Sequence, residues 1–561
     1  MAAAPAIGSD PGSGAANQRG PAGDDVGSTT DHARTTAARP ARVAEDRSGP
    51  AGRPGASRLG RAATRWRAPW SATRLWGFWA VTRLLLLALV WAGHPLGAQQ
   101  GVLGDVRLYD GWGTAFIHGH GLPVGDQKWQ YPPGAVLVFA VPALARALVL
   151  LPYRVGFPLL MLAVDAGVTA ALARARRPEV GGLPAGSPRS RLPADPAVTP
   201  GPALPGPGAR VWLVGTTLLG PVTLARFDLV PAACAVAGLL LLVPARRGAA
   251  GISGPRCGRA GFAAAVGALV KAWPAFLLIA LGRAALVPQV SPGAPVGSSI
   301  WRRLWGRPLV RAGAGAVGAA LVVGLLLVAA GAGGDLFGFL GAQRARGLQL
   351  EAVPATVFVV IRMFGVGETA HYEYGSLQFG DPAARTVATA CSLVEIAVVA
   401  VVALRWWLAR PDPAPARGAE VTTGDRLLAL LLVVLVTSRV LSPQYLVWVL
   451  AVVAAVVALG ATEPPDGDLA ADPAEARRAA DRRAVLALLL AVAAVSQVIY
   501  PWRYNDIIEG RPVTSLVLVA RNVLLLAACW RAVRVIAWRP AGRRRRGRPR
   551  TDAAAPSDPP S

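Results

Sequence analysis

The chain has 561 residues, of which 53% are hydrophobic, and its formal net charge is +26. Apolar content this high, gathered in long uncharged runs, excludes an ordinary soluble domain and predicts membrane spans. The arginines lie between the apolar runs and in both end segments, which favours orientation in a membrane and contact with anionic lipid over nucleic-acid binding.

The two ends of the chain differ in composition from the middle. Residues 1–70 are rich in Ala, Gly, Pro, Ser, Asp and Arg without apolar periodicity, and they predict a disordered N-terminal tail. No secretory signal is visible at the start, because the first apolar stretch comes too late. Residues 538–561 follow the last apolar run and predict a second disordered, basic tail. We expect both tails in the cytoplasm, flanking a membrane domain at 71–537.

Between the tails, apolar runs separated by polar segments predict an all-α, polytopic membrane protein with about 12 transmembrane helices and large extracytoplasmic loops. Several runs are shorter than the ~20 residues that a straight helix needs to cross a bilayer, so half-helices are an alternative for these. No inverted internal repeat of the kind found in many transporters is visible. The predicted spans are 74–94, 155–175, 210–225, 229–244, 260–271, 273–285, 310–331, 386–408, 425–439, 444–461, 484–500 and 514–536.

Residues 134–151 are also apolar enough to span, and their assignment decides the orientation of the loops. If this segment crosses the membrane, the arginine-rich loops at 174–209 and 245–260 lie outside the cytoplasm. If it is an interfacial or re-entrant helix, every arginine-rich loop is cytoplasmic, as the positive-inside rule requires. We therefore predict that 134–151 does not cross, which Pro142 and Arg146 also favour.

With this orientation, two large loops lie on the extracytoplasmic side: 95–133, hereafter the first large loop, and 332–385, the second. The first contains the sequence Gly-Asp-Val-Arg-Leu-Tyr at 104–109 and Tyr-Pro-Pro at 131–133. It therefore holds a carboxylate and aromatic side chains shortly before an apolar helix. Unusual polar residues gathered at one membrane face predict a binding chamber there.

Further short motifs occur at the ends of later spans: Arg-Phe-Asp at 226–228, Lys-Ala-Trp-Pro at 271–274, Arg-Gly-Leu-Gln-Leu-Glu at 346–351 and Ser-Pro-Gln-Tyr at 442–445. In this order, over roughly residues 72–537, the motifs resemble glycosyltransferase family 87 of the GT-C superfamily. That resemblance implies a mannosyltransferase of actinobacterial type that depends on polyprenyl-phosphate-mannose and lies in the bacterial plasma membrane. One departure is Pro123-Val124, where relatives often have Pro-Tyr, and it bears on the identity of the sugar.

The resemblance also implies a role for each matching residue. Asp105 is then the catalytic base that takes the proton of the acceptor hydroxyl, with Asp110 and Asp126 as rivals in the same loop. The lipid phosphate leaves as an anion and needs cations, for which the candidates are Arg226, Lys271, Arg346 and Arg439. The residues assigned to the sugar or the acceptor in this way are Tyr109, Tyr131, Asp228, Gln349, Glu351, Gln444 and Tyr445. His371 is added to them for a different reason: it is the only histidine in the sequence of the second large loop, and its ring can assist proton transfer or bind a phosphate.

Ordinary structural roles are the alternative for several of these residues. Arg226 and Asp228 can pair with one another at a helix turn, and Lys271 can extend its amine to the membrane interface. Tyr131 can serve as an interfacial anchor, and His371 can be a surface residue. Spacing along the chain does not decide between these roles and the functional ones.

The sequence thus predicts a membrane enzyme that moves a hexose, with mannose as the expected sugar, from polyprenyl phosphate to a lipid-linked or glycan acceptor with inversion. The lipid-phosphate sugar is a co-substrate, and neither a cofactor nor a metal is expected. The alternatives are a transporter or flippase of lipid-linked envelope intermediates and a non-catalytic envelope scaffold. The transferase requires Asp105, Arg226, Lys271 and Gln444 to converge on one cavity.

Overall fold

The computed structural model describes residues 70–175, 204–242, 254–281, 308–334, 336–408, 422–460 and 473–537. The predictions of disordered tails fall on 1–69 and 538–561, which lie outside the described residues. Much of the two arginine-rich loops, 176–203 and 243–253, lies outside them as well.

The first half of the membrane domain consists of helices. Ser71 caps the first of them, since its side chain accepts a hydrogen bond of 3.2 Å from the backbone N–H of Arg74. A 3₁₀ turn, Trp273–Ala275, contains Pro274 and interrupts what is otherwise one apolar run between α7 and α8. The helices are α1 (Ala72–Trp91), α2 (Gly104–Ile117), α3 (Ala135–Val149), α4 (Tyr153–Arg174), α5 (Pro207–Leu219), α6 (Leu229–Leu241), α7 (Gly254–Val270) and α8 (Phe276–Leu281).

The second half is also mainly helical. Its α13 begins at a capping box, in which the Thr422 hydroxyl accepts a hydrogen bond from the backbone N–H of Asp425 and the Asp425 carboxylate accepts one from that of Thr422. A π-helical segment, Val498–Trp502, follows α15 and contains Pro501. The helices are α9 (Pro308–Ala329), α10 (Phe339–Ala345), α11 (Thr356–Arg362), α12 (Pro382–Leu408), α13 (Thr423–Thr437), α14 (Leu446–Ala458), α15 (Pro473–Gln497), α16 (Tyr504–Ile508) and α17 (Pro512–Ala537).

Among the described residues, six helices are long and apolar enough to cross a membrane: α1, α4, α9, α12, α15 with its π-helical continuation, and α17. Each lies on a predicted span. The other predicted spans also fall on helices, but these are shorter, as the half-helix alternative anticipates. The prediction of a polytopic helical membrane protein is confirmed.

The segment 134–151 forms α3, a helix of 15 residues. At 1.5 Å per residue such a helix measures about 22 Å, which is less than the ~30 Å thickness of the hydrocarbon core. It ends at Leu150, which adopts a left-handed backbone conformation with φ 55°. This length agrees with an interfacial or re-entrant helix, and the orientation of the loops stays a prediction.

The second large loop contains a small antiparallel sheet, which the all-α prediction did not include. Its strands are ordered β1-β3-β2, and β3 pairs with both neighbours. The turn between β2 and β3 places Tyr374 (φ 46°) and Gly375 (φ 73°) in the left-handed region, as tight hairpin turns require. The strands are β1 (Leu348–Gln349), β2 (His371–Glu373) and β3 (Ser376–Phe379).

A buried ion pair joins α1 to α4 within the membrane domain. The Arg83 guanidinium donates from Nε and Nη2 to the two carboxylate oxygens of Asp165, each at 2.9 Å. Trp79 and Trp212 donate their indole N–H groups to the same carboxylate at 2.7 and 2.9 Å, and Thr216 of α5 accepts from Arg83 at 2.6 Å. The side chains of the pair are 1% and 0% exposed, so three helices share one water-excluded charged cluster.

Small residues allow α7 and α9 to pack closely against each other. A Cβ added to Gly315 of α9 would collide with the backbone carbonyl of Gly258 in α7, and a Cβ added to Gly261 would collide with that of Ala312. Glycines at these positions therefore let the two backbones approach closely, as small residues do in membrane helix pairs.

We expect the substitution Gly315→Ala to destabilise the protein by about 1–3 kcal/mol, because the added methyl forces α9 away from α7. Gly318 lies one turn further along α9, with nothing within 4 Å of an added Cβ. The control Gly318→Ala should therefore be neutral, or stabilising by up to about 1 kcal/mol through helix propensity. Thermal unfolding of the two variants in detergent tests this, and equal midpoints would contradict the close contact.

Candidate active site

A cavity of about 1140 Å³ lies where the two large loops meet the ends of the spans. Its wall contains side chains from both large loops, from the turn between α5 and α6, from the break between α7 and α8 and from the turn between α13 and α14. These are the places where the sequence motifs occur. The predicted site residues that line the cavity are Asp105, Tyr131, Arg226, Lys271, Arg346, Gln349, Glu351, Arg439, Gln444 and Tyr445.

Asp105 lies in the first turn of α2, a helix within the first large loop that was not predicted. Its carboxylate Oδ2 is 2.8 Å from Nε of Arg226, and its side chain is 33% exposed, whereas that of Arg226 is 6% exposed. One side of the carboxylate therefore contacts a buried cation, while the rest of it is open to the cavity. The helix N-terminus also favours a negative charge at this position.

Arg226 is fixed by three further contacts. Its Nη1 donates to the backbone carbonyls of Val102 and Ala225, both at 3.0 Å. Its Nη2 donates to the hydroxyl of Tyr500 at 3.0 Å, and that hydroxyl lies 3.3 Å from the carbonyl oxygen of Gly101. The alternative of a local pair between Arg226 and Asp228 is therefore wrong. Arg226 instead contacts Asp105 and the Val102 carbonyl, both of which belong to the first large loop.

Tyr500 is a cavity residue that sequence reasoning missed. It lies at the end of a predicted span, next to Pro501, and an aromatic residue at such a position is typical of an interfacial anchor. The only sequence signal is the proline, which interrupts a helix that would otherwise continue.

Lys271 and Asp228 form a second ion pair, with 2.7 Å between Nζ and Oδ1. The Trp448 indole N–H donates to the same carboxylate oxygen at 2.6 Å. Aromatic rings surround the ammonium with centroids 4.7–5.7 Å from Nζ, a distance suited to cation–π attraction. The rings are those of Tyr131, Phe227, Tyr445 and Trp448.

The Tyr-Pro-Pro motif reaches this cluster because a glycine follows it. A Cβ at Gly134 would lie only 2.7 Å from the carbonyl oxygen of Leu269 near the end of α7. Without a side chain at that position the turn packs directly on α7, and Tyr131 comes to lie against Lys271 and edge-on to Phe227.

Arg346 and Arg439 lie on another part of the wall. Arg346 donates to the Ser376 hydroxyl at 3.2 Å, and Arg439 donates to the backbone carbonyl of Gln343. Within the described ranges neither guanidinium has an ion pair with a carboxylate, although Glu395 lies near enough to offset part of the charge of Arg439. Both guanidinium groups line the same cavity, so two cations face one space.

Gln349 and Glu351 connect this wall to neighbouring elements. Gln349 donates from its side chain to the Ser442 hydroxyl at 3.3 Å and from its backbone to the Arg439 carbonyl at 2.9 Å, which ties β1 to the Ser-Pro-Gln-Tyr motif. Glu351 is 1% exposed and pairs with Arg521 of α17 at 3.0 Å. Burial raises the pKa of Glu351 to about 7, against the opposing effect of Arg521.

Three residues predicted to contact the sugar or acceptor are not among the described residues that line the cavity. Tyr109 is 1% exposed and stacks on Phe139 with 4.5 Å between the ring centroids, so it supports the wall from behind. Asp228 is 1% exposed and contacts the Lys271 ammonium at 2.7 Å. His371 is on the exposed strand β2, 3.4 Å from Glu373, and is not among the described residues that line the cavity.

The two carboxylates that rivalled Asp105 are occupied elsewhere. Asp110 pairs with Arg146 of α3 at 2.7 Å. Asp126 accepts hydrogen bonds from the Trp112 indole and the backbone N–H of Lys128. Neither is among the described residues that line the cavity. Throughout the described residues, no group of three or more His, Cys, Asp or Glu is arranged to hold a metal ion.

Comparison of the sequence with models of known protein families gives no match, and comparison with curated proteins gives none either. Among solved structures, the chain is similar to the crystal structure of ArnT from Cupriavidus metallidurans bound to undecaprenyl phosphate. The match has 13% sequence identity and a TM-score of 0.35, and it covers 82% of this chain and 78% of that one. At this TM-score the likeness carries no argument about the activity of this chain. The described residues themselves establish a polytopic helical membrane protein with a large, charged cavity at one end of its helices.

Proposed function

We propose that this protein is a membrane glycosyltransferase of GT-C type that transfers a hexose from a polyprenyl-phosphate donor to a lipid-linked or glycan acceptor, with inversion. The observation that carries the proposal is the arrangement of charge around one cavity. Asp105 is held by Arg226 on one side and is open to the cavity on the other. Arg346 and Arg439 line the same cavity, and no carboxylate of the described residues forms an ion pair with either.

The chemistry needs one base and one anion site. As the acceptor oxygen forms its bond to the anomeric carbon, its proton passes to Asp105. The bond between that carbon and the phosphate oxygen breaks, and polyprenyl phosphate leaves with the electron pair. A single displacement of this kind inverts the anomeric centre, and a single positioned carboxylate suffices as base.

The contacts divide the four predicted phosphate ligands into two kinds. Arg226 and Lys271 are each in contact with a carboxylate, so their charges are already balanced. Arg346 and Arg439 are not, and their charges are therefore available to stabilise the leaving phosphate. We assign the donor phosphate to Arg346 and Arg439, and we assign to Arg226 and Lys271 the positioning of Asp105 and of the aromatic wall.

The identity of the sugar rests on the motif resemblance alone, with mannose as the proposed donor sugar. The aromatic side chains around Lys271, among them Tyr131 and Tyr445, offer ring faces and hydroxyls of the kind that hexoses contact. Gln444 lies in the same wall and supplies an amide for hydrogen bonds to sugar hydroxyls.

The test is transfer of radiolabelled sugar from polyprenyl-phosphate-mannose, and from the glucose analogue, in membranes that contain the protein. We expect Arg346→Gln and Arg439→Gln each to raise the donor KM by roughly 10–100-fold, the value of one hydrogen bond to a charged group. Arg385 is exposed at the start of α12 and does not line the cavity, so Arg385→Gln is the matched control and should leave the donor KM unchanged.

Two outcomes contradict this proposal in different ways. If labelled sugar reaches an acceptor but the two arginine variants keep the wild-type donor KM, the phosphate lies elsewhere in the cavity. If no sugar leaves the lipid while labelled lipid changes leaflet in vesicles that contain the protein, the protein is a flippase.

A further inference from the structure

The hairpin of β2 and β3 lies across the first large loop at the cavity. The side-chain amide of Gln130 donates to the backbone carbonyl of Tyr374 in the hairpin turn at 2.7 Å. Gln343 in turn donates to the backbone carbonyl of Gln130 at 2.7 Å. The two large loops are therefore joined beside the cavity, and the hairpin contributes Tyr372, Tyr374 and Gly375 to its wall.

Tyr372 differs from the other aromatic residues of the cavity in its exposure. Its side chain is 62% exposed, whereas the rings around Lys271 are packed in the wall. The ammonium of Lys128, also exposed, lies 5.9 Å from the centroid of the Tyr372 ring. Alternation along β2 directs Tyr372 to the opposite side from His371 and Glu373, which contact one another. An open aromatic face with an adjacent cation therefore stands at the edge of the cavity.

The Tyr372 hydroxyl lies within electrostatic reach of the proposed base. The part of Tyr372 that is shielded from water raises its pKa, the negative charge of Asp105 raises it further, and the positive charge of Arg226 lowers it. The hydroxyl is therefore protonated at neutral pH and can donate a hydrogen bond. Tyr372 and Asp105 line the same cavity, so a molecule resting on this ring shares that cavity with the proposed base.

This combination fits a saccharide better than a lipid headgroup. A pyranose ring has a face of C–H groups, which are attracted to the negative face of an aromatic ring, and hydroxyls at its edge, which accept hydrogen bonds from an ammonium or a phenol. A phosphate headgroup would instead need several cations and no aromatic face. The donor phosphate already has such cations in Arg346 and Arg439.

We propose that Tyr372 and Lys128 form an acceptor subsite that holds the terminal sugar of a glycan, with the reacting hydroxyl directed towards Asp105. The inference rests on the proposed function and deepens it, because it names a saccharide as the acceptor class. The ring of Tyr372 binds one face of the sugar, and the Lys128 ammonium binds hydroxyls at the edge of the sugar.

The experiment separates acceptor binding from transfer. Soluble manno-, gluco- and galacto-oligosaccharides are titrated into purified wild-type protein without donor, and the best binder is then used as acceptor with polyprenyl-phosphate-mannose. We expect Tyr372→Ala to weaken oligosaccharide binding and to raise the acceptor KM by about tenfold, with the donor KM unchanged. Tyr372→Phe and Tyr372→Trp keep the ring and should remain close to wild type, and Lys128→Ala should lie between.

Phe364→Ala is the matched control, because Phe364 is 77% exposed in the same large loop and does not line the cavity among the described residues. Oligosaccharide binding that is lost in Tyr372→Ala without any transfer by wild type would support the subsite and overturn the transferase. Transfer with an acceptor KM that is unchanged in Tyr372→Ala would overturn the subsite and leave the transferase intact. Absence of saturable binding by every oligosaccharide to wild type would also overturn the subsite.

Discussion

The substitution Asp105→Asn is expected to lower the rate of sugar transfer by about 10²–10⁴-fold, the usual contribution of a positioned general base. Asparagine keeps the size of the side chain and retains one oxygen for the contact with Arg226, which is 2.8 Å from the carboxylate. It cannot take the acceptor's proton. Binding of donor and acceptor should therefore persist while kcat falls, which initial-rate kinetics with each substrate varied in turn will separate.

Asp110→Asn is the matched control for this prediction. Asp110 lies in the same helix, pairs with Arg146 and does not line the cavity among the described residues. Its variant should retain the wild-type kcat within about threefold, since it touches no reacting group. If Asp105→Asn transfers sugar as fast as this control, the base is elsewhere, and Glu351 is then the next carboxylate to test because it also lines the cavity.

Breaking the buried pair of Arg83 and Asp165 should have the largest effect on stability. Arg83→Met leaves an unpaired carboxylate in a site with 0% exposure, and we expect it to cost about 3–5 kcal/mol of unfolding free energy. The double variant Arg83→Met with Asp165→Leu removes both charges and should recover part of that loss. Detergent-solubilised protein analysed by thermal unfolding and by yield of monodisperse material will show both effects.

An exposed pair provides the comparison. Arg511 and Glu509 are 2.8 Å apart with side chains 64% and 54% exposed, so Arg511→Gln should cost less than about 1 kcal/mol. If Arg83→Met shifts the unfolding midpoint no more than this control does, the buried cluster is not holding α1, α4 and α5 together.

The positions of the helices were accessible from sequence because apolar runs report directly on burial in lipid. The partners of the polar residues were not. Proximity in the chain offered Asp228 as the alternative partner of Arg226, yet Arg226 pairs with Asp105 and Asp228 pairs with Lys271. Such pairings depend on how distant helices pack, and local spacing carries no information about that packing.

In the second large loop, the β-hairpin itself was not predicted from the sequence. The hairpin there has short strands, and side chains alternate between its two sides, so one position decides whether a residue reaches the cavity. Sequence reasoning selected His371 for its titratable ring and passed over Tyr372, the next residue, which lines the cavity. Without a predicted strand, no sequence pattern distinguished the two.

The buried cluster of Arg83 also constrains how the protein is made. Arg83 and Asp165 are separated by 82 residues in the chain. At synthesis rates of roughly 5–20 residues per second, α1 leaves the ribosome about 4–16 s before its counter-charge does. During that interval Arg83 of α1 has no Asp165 to pair with, so the buried ion pair forms only after α4 has been synthesised. The final packing of α1 in this protein therefore depends on a helix that is synthesised later.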